Sequence, residues 1–486
     1  MATSTASHIR SALPSSCSVS PPGENDTVYS FLSNRWMTMG SSTLPAATVV
    51  PSTKEDVVAV VRYAAANGMK VLPQCGGCGG LVVTNNKTIH LDMGKFRSVD
   101  VDVVSQTVTF GGGTLTKDLQ PAVTEKGFYT GWPNLGVVGM VGNILGGGIN
   151  LFQGTKGHTC DNLVSAQLVT GTGDIIEVSE TSTGSEKELF NQLKGAGAGF
   201  GVVLSMTMRI YPTAELGLAG NSKIPDIMVM FSRDNFDAAA ELWEVVSRSP
   251  ARMTAGFVLM AAPPGMPNAG QPVVMAQASY LGAQADADEA FAYWKDTAVA
   301  ERAITVKPGS FELTRMNMQR DAMMTKGSNM DCYNCLVKEL SGATFSRAAN
   351  RFAEFVDAYG PNIARCMTVL HPMHANALMK ASEGQESWMC HRDRNFMVQT
   401  VPWDLAEEYV EAGRQYGRDI LEIVRSEDSS KGTPNAILAG NARVEADMTE
   451  ILTPEKIEIM KKRKQQWDPH GVFWNPAVDG WADQAK

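Results

Sequence analysis

Cysteine and surplus positive charge are both scarce in this chain of 486 residues. It has 8 Cys, and its 42 Lys and Arg are outnumbered by 51 Asp and Glu, which gives a formal net charge of −9. So few cysteines exclude a disulfide scaffold, because such scaffolds are short chains dense in Cys. The acidic balance argues against nucleic acid as a partner, since contacts to phosphates need a surplus of Lys and Arg.

Long uncharged apolar segments with membrane anchors are also missing. Residues 1–20 are rich in Ser, Ala and Thr and lack the continuous apolar core of a secretory signal, so we expect a mobile tail and a cytoplasmic protein, although a transit peptide has a similar composition. Residues 131–153 carry no charge, but glycines, Pro133 and three Asn interrupt them. This stretch predicts a buried loop rather than a membrane span, and we expect no membrane partner.

Glycine is plentiful, and much of it lies in three loops, each beside a predicted strand. The loops cover Cys75–Gly80, Gly136–Gly148 and Gly195–Gly201. Glycine lets a backbone approach a ligand closely and point N–H groups at anionic oxygens. The loops match neither GxGxxG nor GxxxxGK[ST], which argues against a nicotinamide-type Rossmann site and a P-loop. One such loop would indicate a tight turn, but three together favour a large phosphate-bearing cofactor.

Short α/β units precede Pro212. Ser52–Glu55 has the pattern of a capping box and predicts the start of a helix, and Lys70–Leu72 predicts a strand that leads into the first glycine loop. Leu163–Val169 and Ile175–Val178 alternate apolar and polar residues around a turn, which predicts a β-hairpin.

Longer helices and strands follow Pro212, so we place a domain boundary there. A further unit begins near Asn441, and Thr453-Pro454 has the pattern of a helix start. The predicted organisation is an N-terminal segment at 1–42, a cofactor domain at 43–212, a substrate domain at 213–440 and a C-terminal segment at 441–486.

Three motifs together resemble a known family. They read VVPSTKEDVVAVVRYAAANGMKVLPQCGG, VGNILGGGINLFQGTKGHTCDNL and GAGAGFGVVLSMTMRIYP, and weaker likeness continues in CHRDRNFMVQTVPW and MKKRKQQWDPHGVFWNP. These motifs are similar to those of the FAD-linked oxidases of the vanillyl-alcohol oxidase/p-cresol methylhydroxylase (PCMH) superfamily, in the fungal berberine-bridge-enzyme-like branch. The resemblance implies an α+β, two-domain, PCMH-type fold, in which an α+β FAD domain joins a substrate domain with an antiparallel sheet flanked by helices.

The resemblance also implies the cofactor, FAD, and the residues that contact it. The first glycine loop matches the family's pyrophosphate loop, the second lies along the flavin, and the third leads into a strand that meets the cofactor. The residues carried over are Cys75, Gly76, Gly77, Cys78, Gly79, Gly139, Gly142, Asn143, Gly146, Gly147, Asp161, Gly201, Val202, Val203 and Asn475.

Two departures concern covalent attachment of the flavin. Most berberine-bridge-like oxidases end the first loop in a His that bonds to the flavin, and here Cys78 stands in that place. Leu135 stands where bicovalent members have a Cys. The sequence therefore predicts non-covalent FAD, with an unusual thioether to Cys78 as the alternative, because cysteinyl attachment needs a positioned thiolate.

A third departure concerns the catalytic base. The family often has a Tyr in a C-terminal Tyr-x-Asn stretch, but the corresponding ILAGNARVEADM contains no Tyr. Glu445 and Asp447 are weak candidates there, each equally explained as a solvated carboxylate. His391, in the family's His-Arg stretch, is a third candidate, with a structural role as the alternative.

Methionine is enriched in the predicted substrate domain. The chain has 26 Met, and 16 of them lie between Met228 and Met397. Met adapts to irregular apolar space, so we interpret the enrichment as a roomy apolar pocket, with Met316, Met318 and His391 as candidate lining. Such a pocket suits a hydrophobic polycyclic or polyketide-like substrate.

Other residue clusters do not indicate a metal. The two CxxC pairs, at Cys75 and Cys332, lie too far apart for a shared zinc site, and His371-Pro-Met-His374 lacks the acid of an HExxH site. We expect no metal.

The leading hypothesis is an FAD-dependent oxidoreductase that acts on a hydrophobic small molecule, with O2 as the possible electron acceptor, in fungal secondary metabolism. Two alternatives stay open: a redox-silent isomerase or cyclase on the same flavoprotein scaffold, and a non-catalytic protein that binds apolar ligands.

Overall fold

The structure is a computed structural model. It describes residues 2–21, 35–36, 44–80, 82, 84–218, 223–316, 321, 327, 330–443 and 446–480.

A small sheet opens the chain and ends at the first glycine loop. Its strands are β1 (Ser18–Ser20), β2 (Ala47–Val50), β3 (Lys70–Gln74) and β4 (Thr88–Asp92), in the order β1-β2-β4-β3. β4 is parallel to β2 and β3, while β1 is antiparallel to β2. Because β3 is an outer strand that ends at Gln74, the loop that follows lies at the edge of the sheet.

Helix α2 (Lys54–Ala66) packs on this sheet and was predicted, but its cap differs from the prediction. The N-cap is Thr53 rather than Ser52, and its side chain accepts from Asp56 N while Asp56 accepts from Thr53 N. Asp56 is an acceptor of the right length for this box, so the capping box lies one residue further along than the sequence pattern suggested.

The N-terminal segment is not a mobile tail. Residues Ala2–Ala12 form helix α1, and β1 pairs with β2. Ile9, Leu13 and Val19 are buried in the core of the small sheet. The prediction from Ser-rich composition was wrong because these few apolar residues occur at positions that face one surface.

A second sheet is antiparallel and five-stranded. Its strands are β5 (Val99–Asp102), β6 (Thr107–Gly111), β8 (Leu163–Val169), β9 (Ile175–Ser179) and β10 (Val202–Arg209), in the order β5-β6-β10-β8-β9. The predicted hairpin is β8–β9. A two-stranded pair of β7 (Phe128–Tyr129) and β11 (Tyr211–Pro212) lies nearby.

Helices connect these strands and carry the second and third glycine loops. They are α3 (Thr116–Thr124), α4 (Met140–Leu145), α5 (Gln153–Lys156) and α6 (Gly184–Ala196).

The third sheet is the largest, and all of its neighbouring strands are antiparallel. It consists of β12 (Lys223–Ser232), β13 (Met253–Ala261), β14 (Pro272–Tyr280), β15 (Thr305–Glu312), β16 (Tyr333–Val337), β17 (Met367–Pro372) and β18 (Phe396–Val401), in the order β15-β12-β14-β13-β17-β18-β16. The predicted α+β architecture, with an antiparallel sheet flanked by helices, is confirmed.

Helices cover one face of this sheet. The other face is turned toward the N-terminal domain. The covering helices are α7 (Phe236–Val246), α8 (Gln284–Ala290), α9 (Ala292–Lys295), α10 (Ala298–Glu301), α11 (Gly342–Tyr359) and α13 (Glu407–Ser430), whereas α12 (Ala375–Ala381) packs against α5 of the N-terminal domain. Side chains alternate along β13: Phe257 and Leu259 are buried in the core with the helices, whereas Gly256 and Val258 face the other side.

The C-terminal segment returns to the N-terminal domain. Helix α14 (Pro454–Trp467) begins after the N-cap Thr453, as predicted, and α15 (Pro476–Asp479) follows. Val71 N, at the start of β3, donates to Val472 O at 2.8 Å. Within the described residues, no helix is long and apolar enough to cross a membrane.

Candidate functional site

A cavity of about 1110 Å³ lies between the uncovered face of the large sheet and the glycine loops. Ligand pockets usually hold ~300–1,000 Å³, so this cavity has room for more than one drug-sized molecule. Its lining comes from both domains and from the C-terminal segment, including Trp474 and Asn475.

The first wall is made of the first and second glycine loops, which lie directly against each other. A Cβ added to Gly139 would lie 2.5 Å from Gly76 N and 2.5 Å from Cys75 Sγ, and a Cβ added to Gly76 would overlap Gly139 N. Only residues without a side chain allow two backbones to approach so closely. These two glycines are therefore required by the contact between loops, before any ligand is considered.

Other glycines of the same wall face open space. Among the residues that the structure describes, no atom would lie within 4 Å of a Cβ added to Gly79 or Gly142, and both glycines line the cavity. This part of the wall is a shallow cradle that side chains would otherwise fill.

The second wall is the uncovered face of the large sheet. Most of the side chains on it are apolar, several of them Met, with a few polar groups between them. The lining residues are Asp226 and Met228 on β12, Thr254, Gly256, Val258 and Met260 on β13, Met275, Gln277 and Ser279 on β14, Met367, Val369 and His371 on β17, and Met397, Gln399 and Val401 on β18.

Comparison with known proteins identifies the first wall. Residues 45–179 match the family described as an FAD binding domain. Over 453 residues, the chain is 27% identical to the FAD-linked oxidoreductase fmqD of Aspergillus fumigatus, covering 90% of this chain and 86% of fmqD. The chain therefore has an FAD-binding domain and is an FAD-linked oxidoreductase.

Two further comparisons show how much of the chain resembles known proteins. The FAD-linked oxidoreductase azaL of Aspergillus niger is 36% identical over 211 residues, which cover 42% of this chain and 44% of azaL. Among solved structures, BBE-like 1 of Physcomitrella patens superposes with a TM-score of 0.79 at 17% identity, covering 99% of both chains. The predicted fold and the predicted cofactor, FAD, are thereby confirmed.

The first wall of this FAD-linked oxidoreductase fits a large polar cofactor. In the described structure, Gln74 Nε2, Asn143 Oδ1 and Gln153 Oε1 are buried without a hydrogen-bond partner, and all three residues line the cavity. Buried polar atoms are normally paired, so these atoms and the cradle at Gly79 and Gly142 leave room and bonding capacity for FAD.

Most of the residues predicted to contact FAD lie on this wall. They are Cys75, Gly76, Gly77, Cys78, Gly79, Gly139, Gly142, Asn143, Gly146, Gly201, Val202, Val203 and Asn475. Asn475 lies there because its Nδ2 donates to Ala198 O at 2.7 Å, while its Oδ1 caps α15.

Gly147 and Asp161 lie behind the wall and are not among the residues that line the cavity. A Cβ at Gly147 would overlap Met389 Sδ. Arg392 donates from Nη1 to Asp161 Oδ2 at 2.8 Å and from Nη2 to Asp161 Oδ1 at 2.6 Å, with both side chains buried. The ion pair of Asp161 with Arg392 therefore connects the cofactor domain to the substrate domain.

Cys78 lines the cavity, and so does Leu135. The Cys78 sulfur lies 3.8 Å from Gly76 O and 4.0 Å from Val137 O. Arg35 lies close by: its Nη2 donates to Gly79 O at 2.6 Å, and burial lowers its pKa to about 10. Arg35 was missed in the sequence, because it stands about forty residues before the loop that it contacts.

Neither Met316 nor His391, two of the three predicted pocket residues, lines the cavity. Met316 is buried in the core shared with the second sheet and is not among the lining residues, and Met318 lies outside the described residues. His391 has a φ of +58°, and burial lowers its pKa; it too is absent from the lining. Five of the methionines that do line the cavity, Met228, Met260, Met275, Met367 and Met397, lie on strands, where every second residue faces it.

The carboxylates proposed as bases gain no support. Asp447 is exposed and accepts from Thr449 N and Oγ1, both at 2.8 Å, as the cap of a 3-10 turn, and these bonds lower its pKa. Glu445 lies outside the described residues.

Of the two CxxC pairs, Cys332 and Cys335 are buried, whereas Cys75 and Cys78 are half-buried. Desolvation raises the pKa of Cys75, Cys332 and Cys335 to about 12 each. In the described part of the chain, no three His, Cys, Asp or Glu side chains are grouped to hold a metal ion.

Proposed function

We propose that this FAD-linked oxidoreductase oxidises a hydrophobic small molecule and holds its FAD without a covalent bond. The observation that carries the proposal is the single continuous cavity. It joins a glycine-loop wall with unpaired polar atoms to a sheet face lined by Met, so cofactor and substrate share one enclosed space.

FAD bound here would supply an acceptor for a hydride, with O2 as the proposed final electron acceptor. The backbones of the first and second glycine loops would hold it, with Gln74, Asn143 and Gln153 offering one donor and two acceptors. Arg35 holds the first loop in shape through Gly79 O. The large sheet excludes water from the other side of the cavity.

The substrate side supports a bulky apolar molecule. Met228, Met260, Met275, Met367 and Met397 line it, and unbranched Met side chains adjust to ligands of irregular shape. Together with the fungal relatives, this lining supports a polycyclic or polyketide-like substrate from secondary metabolism.

The non-covalent state has a direct test. Leu135 has no nucleophile, and the Cys78 sulfur lies 3.8 Å from Gly76 O and 4.0 Å from Val137 O, where a thiol donates to a backbone carbonyl. We expect acid precipitation of the holoprotein to leave all flavin in the supernatant. Cys78→Ser is the control and should give the same result, whereas yellow pellets from the wild type and colourless pellets from Cys78→Ser would establish a thioether.

The oxidation itself is tested by anaerobic mixing of the holoprotein with a panel of aromatic and polyketide alcohols. We expect at least one of them to bleach the flavin absorption, and admission of O2 to restore it. Conversion of a panel compound to an isomer with the flavin still oxidised would favour the redox-silent alternative instead.

A further inference from the structure

Polar side chains are concentrated at one end of the sheet wall. Asp226 on β12 stands opposite Ser279 on β14, which stands opposite Thr254 on β13, and all three line the cavity. Gln277 lies two residues before Ser279 on β14 and lines the same cavity. This end of the wall therefore offers hydrogen-bonding groups to a ligand.

The opposite end of the wall is apolar. Met260 on β13 pairs with Met367 on β17, which pairs with Val401 on β18, and all three line the cavity. Gly256, which pairs with Gln277, is four residues from Met260 along β13, roughly 14 Å at ~3.4 Å per residue. A ligand that lies along this wall therefore meets polar groups at one end and apolar groups at the other.

The carboxylate of Asp226 fixes which way the Gln277 amide is turned. Gln277 Nε2 donates to Asp226 Oδ2 at 3.1 Å and to Oδ1 at 3.3 Å. An ionised carboxylate only accepts, so the amide must turn its NH2 group, and not its oxygen, toward Asp226. Ser279, which is buried, donates from Oγ to the same carboxylate at 2.7 Å. The carbonyl oxygen Oε1 is therefore the atom of this amide that remains for a ligand.

Gln277 Oε1 has no donor among the residues that the structure describes. Both hydrogen bonds of this side chain are made by Nε2, and the side chain is half-buried on the lining of the cavity. Covering an acceptor without pairing it costs free energy. A ligand that covers Gln277 is therefore favoured when it supplies an O–H or N–H group.

Gln399 on β18, a second glutamine of the sheet wall, is held less firmly. Its Nε2 donates to Cys332 Sγ at 3.2 Å, and a thiol sulfur is a weak acceptor. The neighbouring positions of β18 that line the cavity are the apolar Met397 and Val401. Because no charged group holds the Gln399 amide, it can turn to suit either a donor or an acceptor, whereas Gln277 discriminates between them.

We propose that Gln277 determines specificity for a substrate that carries a hydroxyl group at one end. Gln277 Oε1 accepts from that O–H, and the apolar body of the substrate lies along the Met-lined part of the sheet. Asp226 acts as a positioning residue, because it holds the Gln277 amide in the accepting orientation. This selection rests on the proposed function, since it takes the Met-lined cavity to be the substrate site.

Two probes that differ by one methyl group test the selection without any oxidation. The holoprotein is titrated with 2-naphthol and with 2-methoxynaphthalene, whose oxygen carries no hydrogen, and quenching of naphthalene fluorescence gives each Kd. The Kd of the ether divided by the Kd of the naphthol measures the preference for a hydroxyl group. We expect this ratio to be about 10-fold lower in Gln277→Met than in the wild type, because Met has a similar length but no strong acceptor. A general change in pocket shape affects both probes and cancels in the ratio.

Gln399→Met is the matched control. It makes the same change on the same wall, three strand spacings from β14, and should keep the wild-type ratio. Asp226→Asn is the second variant and replaces Gln277→Met if that protein fails to retain FAD. An Asn amide can donate to Gln277 Oε1, so the Gln277 amide can turn its NH2 group to the cavity, and the ratio should fall as in Gln277→Met.

Three results would overturn the proposal: a wild-type ratio in both Gln277→Met and Asp226→Asn, a loss of the preference in Gln399→Met alone, or no binding of either probe to the wild type. The titrations involve no electron transfer. A ratio that depends on Gln277, with no alcohol that bleaches the flavin, would keep the specificity residue and remove the oxidase. Bleaching by an alcohol, with the same ratio in wild type and Gln277→Met, would do the reverse.

Discussion

Replacing Asp161 with alanine is expected to lower the free energy of unfolding by about 3–5 kcal/mol, because it leaves a buried guanidinium without its partner. Asp161 and Arg392 are 3% and 9% exposed and form a two-pronged ion pair. Asp161 also accepts from His158 N at 2.8 Å. Chemical denaturation of the flavin-free protein measures the loss.

The double variant Asp161→Leu with Arg392→Met is the control for this prediction. It removes both charges and fills similar volume, so it should be clearly more stable than Asp161→Ala, as when other buried pairs are replaced by apolar groups. A loss below about 1 kcal/mol in Asp161→Ala would place this pair among solvated surface pairs and contradict the burial.

Gly76→Ala and Gly142→Ala are expected to have opposite effects on the flavin-free protein. At Gly76 the new methyl group overlaps Gly139 N, and overpacking of this kind costs typically ~1–3 kcal/mol. At Gly142, within helix α4, the methyl group meets no protein atom within 4 Å, and Ala in a helix is favoured over Gly by about 1 kcal/mol. Gly142→Ala should therefore raise stability slightly.

The two variants should also differ in how much FAD they bind. Gly76→Ala should purify without FAD, because the first and second glycine loops can no longer pack against each other. Gly142→Ala should fold normally yet bind FAD more weakly, since its methyl group enters the cradle. Thermal unfolding with and without added FAD reports both effects. Equal FAD-dependent stabilisation of Gly142→Ala and the wild type would show that the cofactor does not lie against Gly142.

The local parts of the fold were predictable from sequence. Hairpin β8–β9 and helix α14 follow from alternation, turn residues and caps that lie within a few positions of each other. The three glycine loops were found for the same reason. Helix α1 was missed because Ile9 and Leu13 are too few to form a pattern, and they become informative only when buried on the small sheet.

The substrate side of the site depends on long-range pairing and was not predictable. His371 Nδ1 and Ala255 O are brought together by strands 116 residues apart in the chain. Met316 was chosen because Met is dense around it, but density along a chain does not show which way side chains face. A better indication was available in β17, where Met367, Val369 and His371 occupy alternate positions of one strand.

The return of the C-terminal segment has a consequence for how the protein acquires its cofactor during synthesis. Lys70 Nζ, beside the first glycine loop, donates to Gly471 O, a residue 401 positions later. Ribosomes add ~5–20 residues per second, so roughly 20–80 s separate the synthesis of these two residues. Throughout that interval the cavity lacks the wall formed by Trp474 and Asn475. We therefore expect stable loading of FAD to follow translation of both domains.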